Sequence, residues 1–164
     1  MKILYFGGQK SGKSKLAEAK ALMLSPKEKP TYIATYDNSY NDVEMKERIA
    51  KHLLQRQDTF RSIEEPLNLE RIISKKETYL IDCISMWILN TLNQPIEELF
   101  KTLKELEEKE ANIVFVLNDV TSGIIPLNKE SRIFVDRSGI VGQKLASFCD
   151  EVYEVKLGLP IKIK

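Results

Sequence analysis

Gly7-Gly8-Gln9-Lys10-Ser11-Gly12-Lys13-Ser14, entered directly from the apolar run Ile3-Leu4-Tyr5-Phe6, fits the phosphate-binding pattern G-x-x-x-x-G-K-[ST] at every defined position. Glycines in such a loop let the backbone turn successive N–H groups inward, where they cradle phosphate oxygens. Gly7, Gly8, Gln9, Lys10, Ser11 and Gly12 supply that cradle, Lys13 adds a point charge near the β- and γ-phosphates, and Ser14 offers a hydroxyl to Mg²⁺. Behind the loop, Lys15-Leu16-Ala17-Glu18-Ala19-Lys20-Ala21-Leu22 consists almost wholly of good helix formers. The helix they predict presents the positive end of its dipole to the same anions. Strand, loop and helix in this order predict a nucleoside triphosphate site.

The rest of the chain continues the alternation. Strand-like runs recur at Lys2 to Phe6, Thr31 to Ala34, Thr78 to Ile81, Asn112 to Leu117 and Glu151 to Val155. Between them, Val43 to Gln55 carries Met45, Ile49 and Leu53 as an i, i+4, i+8 stripe, and Pro66 to Ser74 and Pro95 to Lys109 each open on a proline suited to a first helical turn. Lys129 to Cys149 reads as a final helix with possible kinks at Gly139 and Gly142. The rhythm changes at the tail, where Glu151-Val152-Tyr153-Glu154-Val155, Leu157-Gly158-Leu159-Pro160 and Ile161-Lys162-Ile163 predict a hairpin closing one sheet edge. The expected fold is α/β, a P-loop NTPase domain with a mainly parallel sheet, helices on both faces and a C-terminal edge hairpin.

With 164 residues, 43% of them hydrophobic and 30% charged, the chain suits one domain with a proper core spanning residues 1–164. A formal net charge of +1, with Lys and Arg mixed among acids, argues against a surface built for nucleic acid. The N-terminal apolar stretch has only a strand's length before the phosphate loop, so neither a signal peptide nor a membrane span is expected, and the expected location is cytoplasmic. Cys83 and Cys149 lie far apart without C-x-x-C spacing and read as reduced core residues.

A triphosphate site needs a second acid to hold the metal where it bridges the phosphates, commonly at the end of an apolar strand. Tyr79-Leu80-Ile81-Asp82 supplies one. Asp82 could instead cap the helix that follows it, and the two roles can coexist. The single histidine, His52, lies on the striped stretch after the second strand. On the residues alone, a lone helix histidine reads first as an exposed or partly buried side chain with no task, and only second as a nucleophile.

Four stretches in order, Gly7 to Ser14, Tyr32-Ile33-Ala34-Thr35, Glu44 to His52 and Asp82-Cys83-Ile84-Ser85-Met86-Trp87, resemble the adenosylcobinamide kinase / adenosylcobinamide-phosphate guanylyltransferase family of cobalamin biosynthesis. Asn118 to Pro126, Phe134 to Gly139, Gln143 to Ala146 and Asp150-Glu151-Val152 look like that family's C-terminal half, so the resemblance spans essentially the whole chain. It departs from the family's usual pattern over Leu53-Leu54-Gln55-Arg56-Gln57-Asp58 and at Asp119, Leu127 and Gly142, none of which touches the phosphate loop, His52 or Asp82. The resemblance implies a bifunctional enzyme. Such an enzyme phosphorylates adenosylcobinamide with ATP or GTP, then transfers GMP from GTP to the resulting phosphate through a guanylyl-histidine intermediate, giving adenosylcobinamide-GDP. The matching histidine here is His52. The resemblance further implies nucleotide contacts from Ala34, Thr35, Arg48 and Glu64 (with Glu65 as the neighbouring candidate), Mg²⁺ as cofactor at Ser14 and Asp82, and a homotrimer.

Two other classes remain on the sequence alone. A monofunctional P-loop small-molecule kinase would use the loop and Asp82 and leave His52 structural. A nucleotide-gated binding protein would want an Asn-Lys-x-Asp motif, and the chain contains none.

Overall fold

The first strand shows how apolar alternation places its side chains. In the computed structural model, which describes residues 1–37 and 58–164, Ile3 and Tyr5 of the first strand face one apolar cluster while Leu4 faces another. Numbered over the described residues, the elements are β1 (Lys2–Gly7), α1 (Lys13–Leu24), β2 (Thr31–Ala34), β3 (Arg61–Glu64), α2 (Leu69–Ile72), β4 (Thr78–Asp82), α3 (Ile84–Asn90), α4 (Ile96–Glu108), β5 (Asn112–Asn118), α5 (Lys129–Phe148), β6 (Glu151–Lys156) and β7 (Leu159–Lys162). They build one seven-stranded sheet in the order β3-β2-β4-β5-β1-β6-β7. Every described pairing is parallel except β6 with β7.

Both faces of the sheet are covered, as a parallel sheet requires. Ala17 and Ala21 of α1 pack with Ile3, Tyr5, Leu80, Val114 and Val116 on one face. On the other, Ile84, Trp87 and Ile88 of α3 and Val141 and Leu145 of α5 join Leu4, Ile81, Ile113 and Phe115, and α4 adds Leu99, Leu103 and Leu106 against α2 and α5. Small side chains on α1 let the helix that begins at the phosphate loop lie close to β1, β4 and β5. Among the described residues no helix is long and apolar enough to cross a membrane.

Several boundaries differ from the sequence expectation for local reasons. The helix expected over Pro66 to Ser74 is only Leu69–Ile72. It starts late because the Glu65 carboxylate accepts from the N–H groups of Leu67 and Asn68 at 2.9 and 2.8 Å, closing a turn where helical bonds would otherwise begin. Pro95 caps α4 rather than entering it, and Lys109 leaves it in extended conformation. The last helix runs unbroken through Gly139 and Gly142 to Phe148. Gly142 serves a close approach there, since a Cβ on it would come within 3.2 Å of Leu117 Cδ2 on β5. β3 is an edge strand whose four residues are all exposed, so it carries no apolar alternation to reveal it. The expected terminal hairpin is present, closed by Leu157 and Gly158 with φ of 53° and 80°. The helix expected over Val43 to Gln55 lies outside the described residues.

Candidate active site

In a parallel sheet the loops after the strands' C-terminal ends gather along one edge, and those sequence-predicted residues that the structure describes fall there. Gly7 closes β1 and pairs with Asn118, Asp82 closes β4 and pairs with Ala34, and Ala34 in turn pairs with Glu64 at the end of β3. Thr35 follows Ala34 directly. Asp82 and Gly7 are separated by β5, which puts two strand spacings, about 10 Å, between their strands.

The phosphate loop joins β1 to α1. Its backbone carries one internal bond, Ser11 N–H donating to Gly8 O at 3.2 Å, and is bound to two neighbours: Asp119 N–H donates to Gly7 O at 2.8 Å, and Gly158 N–H donates to Ser11 O at 2.8 Å. Gly7 has no room for a side chain, because its Cβ would lie 2.4 Å from Val155 O and 2.9 Å from Ser11 Oγ. Gly12 is required twice over, by a φ of 97° and by a Cβ position 3.1 Å from Gly158 Cα. Gly8, Gln9 and Lys10 are exposed, with Lys10 at a φ of 56°. Ser11 Oγ is buried without a hydrogen-bond partner.

Lys13, the first residue of α1, is only 6% exposed, and its Nζ donates to Gly8 O at 3.0 Å. Burial lowers its pKa, while the negative charge of Asp82 works in the opposite direction. A desolvated ammonium folded back onto its own loop gains most when phosphate oxygens arrive. Ser14 follows in the same helical turn, half-buried.

Asp82 is held from two sides. Tyr32 OH donates to its Oδ2 at 3.2 Å, and the peptide that follows is clamped by Thr35, whose Oγ1 donates to Cys83 O at 2.7 Å and accepts from Cys83 N–H at 3.0 Å. Thr35 itself is fully buried, and its carbonyl accepts from Asn90 Nδ2 at 2.7 Å. Burial, reinforced by Asp82, pushes the Cys83 thiol up to about 11, so the sulfur beside the site is a neutral thiol rather than a nucleophile. Ser14 and Asp82 offer hard oxygen donors, and among the described residues no group of three or more His, Cys, Asp and Glu could enclose a metal. That donor set fits a magnesium ion completed by substrate phosphates and water rather than one caged by protein.

The structure thus gathers Gly7 to Ser14, Ala34, Thr35, Glu64 and Asp82 along one edge. Glu64 is exposed there, whereas Glu65 is committed to its own turn. Arg48 and His52 lie outside the described residues. Sequence reading missed the supports: Tyr32 against Asp82, Ser85 Oγ accepting from Asn118 N–H at 2.8 Å, and the hairpin turn against the loop. Tyr32 had one available signal, a phenol two residues before the strand's end, on the same side of the strand as Ala34.

Comparison with known proteins decides the family. The model for "Cobinamide kinase / cobinamide phosphate guanyltransferase" matches residues 3–163. The chain belongs to this family. Three members are similar over all of this chain. The bifunctional adenosylcobalamin biosynthesis protein CobP of Pseudomonas aeruginosa is 35% identical, with 98% of its own length covered. The proteins of the same description named CobU, from Escherichia coli and Salmonella typhimurium, are 31% and 32% identical, each covered over 100% of its length. A solved chain from Pyrococcus horikoshii OT3, at 12% identity and a TM-score of 0.52, covers 99% of this chain and 85% of its own, and shares the fold.

Proposed function

We propose that this chain phosphorylates the aminopropanol hydroxyl of adenosylcobinamide with ATP or GTP, then transfers GMP from GTP onto that phosphate to give adenosylcobinamide-GDP and pyrophosphate. The observation that carries the proposal is the buried Lys13 at the start of α1, on a loop whose backbone is held from two sides, across from a doubly held Asp82. Membership of the family supplies the substrate class.

In the first reaction the loop amides of Gly7 to Ser14 and the Lys13 ammonium bind and orient the triphosphate, and negative charge developing on the transferred group meets preorganised donors. Ser14 and Asp82 would hold Mg²⁺, which supplies neutralisation of phosphate charge when bound. In the second, an imidazole nitrogen of His52 attacks the α-phosphorus of GTP, the bond to the bridging oxygen breaks, and pyrophosphate leaves with that electron pair. An oxygen of the substrate phosphate then attacks the same phosphorus, the P–N bond breaks and the imidazole regains its electron pair. Ala34, Thr35, Arg48 and Glu64 are assigned nucleotide contacts, by their places at the strand ends or, for Arg48, one turn from His52 in the expected helix.

The proposal includes one catalytic domain, a cytoplasmic location and a homotrimer. Support for assembly comes from the apolar side chains of Ile124, Ile125 and Leu127, which are 96%, 77% and 99% exposed in the segment after β5.

Intact-protein mass after incubation with GTP and Mg²⁺, kept alkaline because phosphoramidates hydrolyse in acid, tests the second reaction. The expected result is a gain of one GMP that is lost in His52→Ala. Phosphorylation of adenosylcobinamide without any adduct would make the chain a kinase only.

A further inference from the structure

The strand that separates the phosphate loop from Asp82 ends in a polar side chain, Asn118. In the sheet order β5 lies between β1 and β4; Asn118 pairs with Gly7 at the start of the loop, and Asp82 pairs with Val116 two residues earlier on the same strand. Alternation sets the face as well. Tyr5, Leu80 and Val116 pack with Ala17 and Ala21 of α1, so Gly7, Asp82 and Asn118, each two residues further on, lie on the side of the sheet that carries α1 and Lys13. Lys13 and Asp82 are close enough to interact through their charges.

Asn118 has a fixed backbone and a loosely engaged side chain. Its N–H donates to the buried Ser85 Oγ at 2.8 Å, which anchors the strand end. Among the described residues its one side-chain hydrogen bond runs from Nδ2 to Cys83 Sγ at 3.8 Å. A thiol sulfur is a weak acceptor, so this half-buried amide keeps most of its donor capacity in reserve. A terminal phosphate shared between the Lys13 ammonium and a magnesium ion at Ser14 and Asp82 would lie over the end of β5, within the reach of that amide.

We propose that the Asn118 carboxamide binds the phosphate that is transferred, donating from Nδ2 to an oxygen of the terminal phosphate and exchanging a thiol for a charged acceptor. This rests on the phosphate-loop assignment made above. A neutral amide suits the place, because it donates to the phosphate without repelling either Lys13 or a metal ion. The contact is independent of where the nucleoside lies, and leaves the contacts assigned to Ala34, Thr35 and Glu64 as they stand.

The test compares the parent with Asn118→Ala and with Asn118→Leu, which keeps a similar volume without a donor. Binding of ADP and of an ATP analogue with an imido β–γ bridge is measured by calorimetry in Mg²⁺, with melting temperature as the folding control. The expected result, in a variant that melts with the parent, is a roughly tenfold loss of affinity for the analogue and none for ADP. Unchanged affinity for the analogue, or an equal loss for ADP, would overturn the proposal while leaving the phosphate loop in place. A collapse of the melting temperature in both variants would also overturn it, since the carboxamide would then serve the fold. Failure of the parent to bind either ligand would overturn the loop assignment and this proposal with it.

Discussion

Lys13 is a costly residue for the folded chain and, under the proposed function, a useful one for the ligand. Burial disfavours its charge, and the hydrogen bond to Gly8 O returns only part of the lost hydration. Lys13→Met should therefore raise the melting temperature of the nucleotide-free protein, while phosphorylation of adenosylcobinamide falls by roughly two to three orders of magnitude. The sign of the pH dependence follows from the lowered pKa. Between that value and the ordinary lysine value of 10.5, the unfolded chain binds this proton more tightly than the folded chain, so wild-type stability gains with rising pH. Urea denaturation at neutral and alkaline pH should show the advantage of Lys13→Met shrinking as pH enters that window. An advantage that stays constant would mean that Lys13 burial is not its source.

At the scale of elements, the loop between β1 and α1 is shaped from outside as much as from within. Gly7 touches Val155 on β6, Gly12 touches Gly158 in the turn, and Asp119 beyond β5 binds Gly7 O. Gly7→Ala should consequently destabilise the whole fold by about 3 kcal/mol or more, since the atom in the way is a backbone carbonyl that cannot swing aside. Chemical denaturation would measure it, and a loss under 1 kcal/mol would show that the strands separate easily. These elements also mark what the sequence could disclose. The glycine-lysine-serine signature, the β-branched strand runs and the stripe of Leu99, Leu103 and Leu106 on α4 are local patterns, legible because each element carries its own period. β3 was illegible because all its residues are exposed, and α2 was overextended because a carboxylate two to three residues away captured its first donors. The Tyr32 to Asp82 bond and the Gly158 to Ser11 bond join residues far apart in the chain, and no period within one element encodes such pairs. The identity of the candidate loop was therefore readable, while its supports required the sheet order.

For the whole molecule, the feature with the widest reach is the position of β1 between β5 and β6. Its neighbours are residues 112–118 and 151–156, so the strand that begins the chain pairs only with strands from its last third. The proposed phosphate loop is thus synthesised before every strand that moulds it and is among the last segments to acquire its shape. A nascent chain halted before β6 would display the full glycine-lysine-serine sequence yet lack the carbonyl of Val155 and the amide of Gly158 that mould it. Under the proposed function, cellular GTP would find no moulded phosphate loop on such an intermediate.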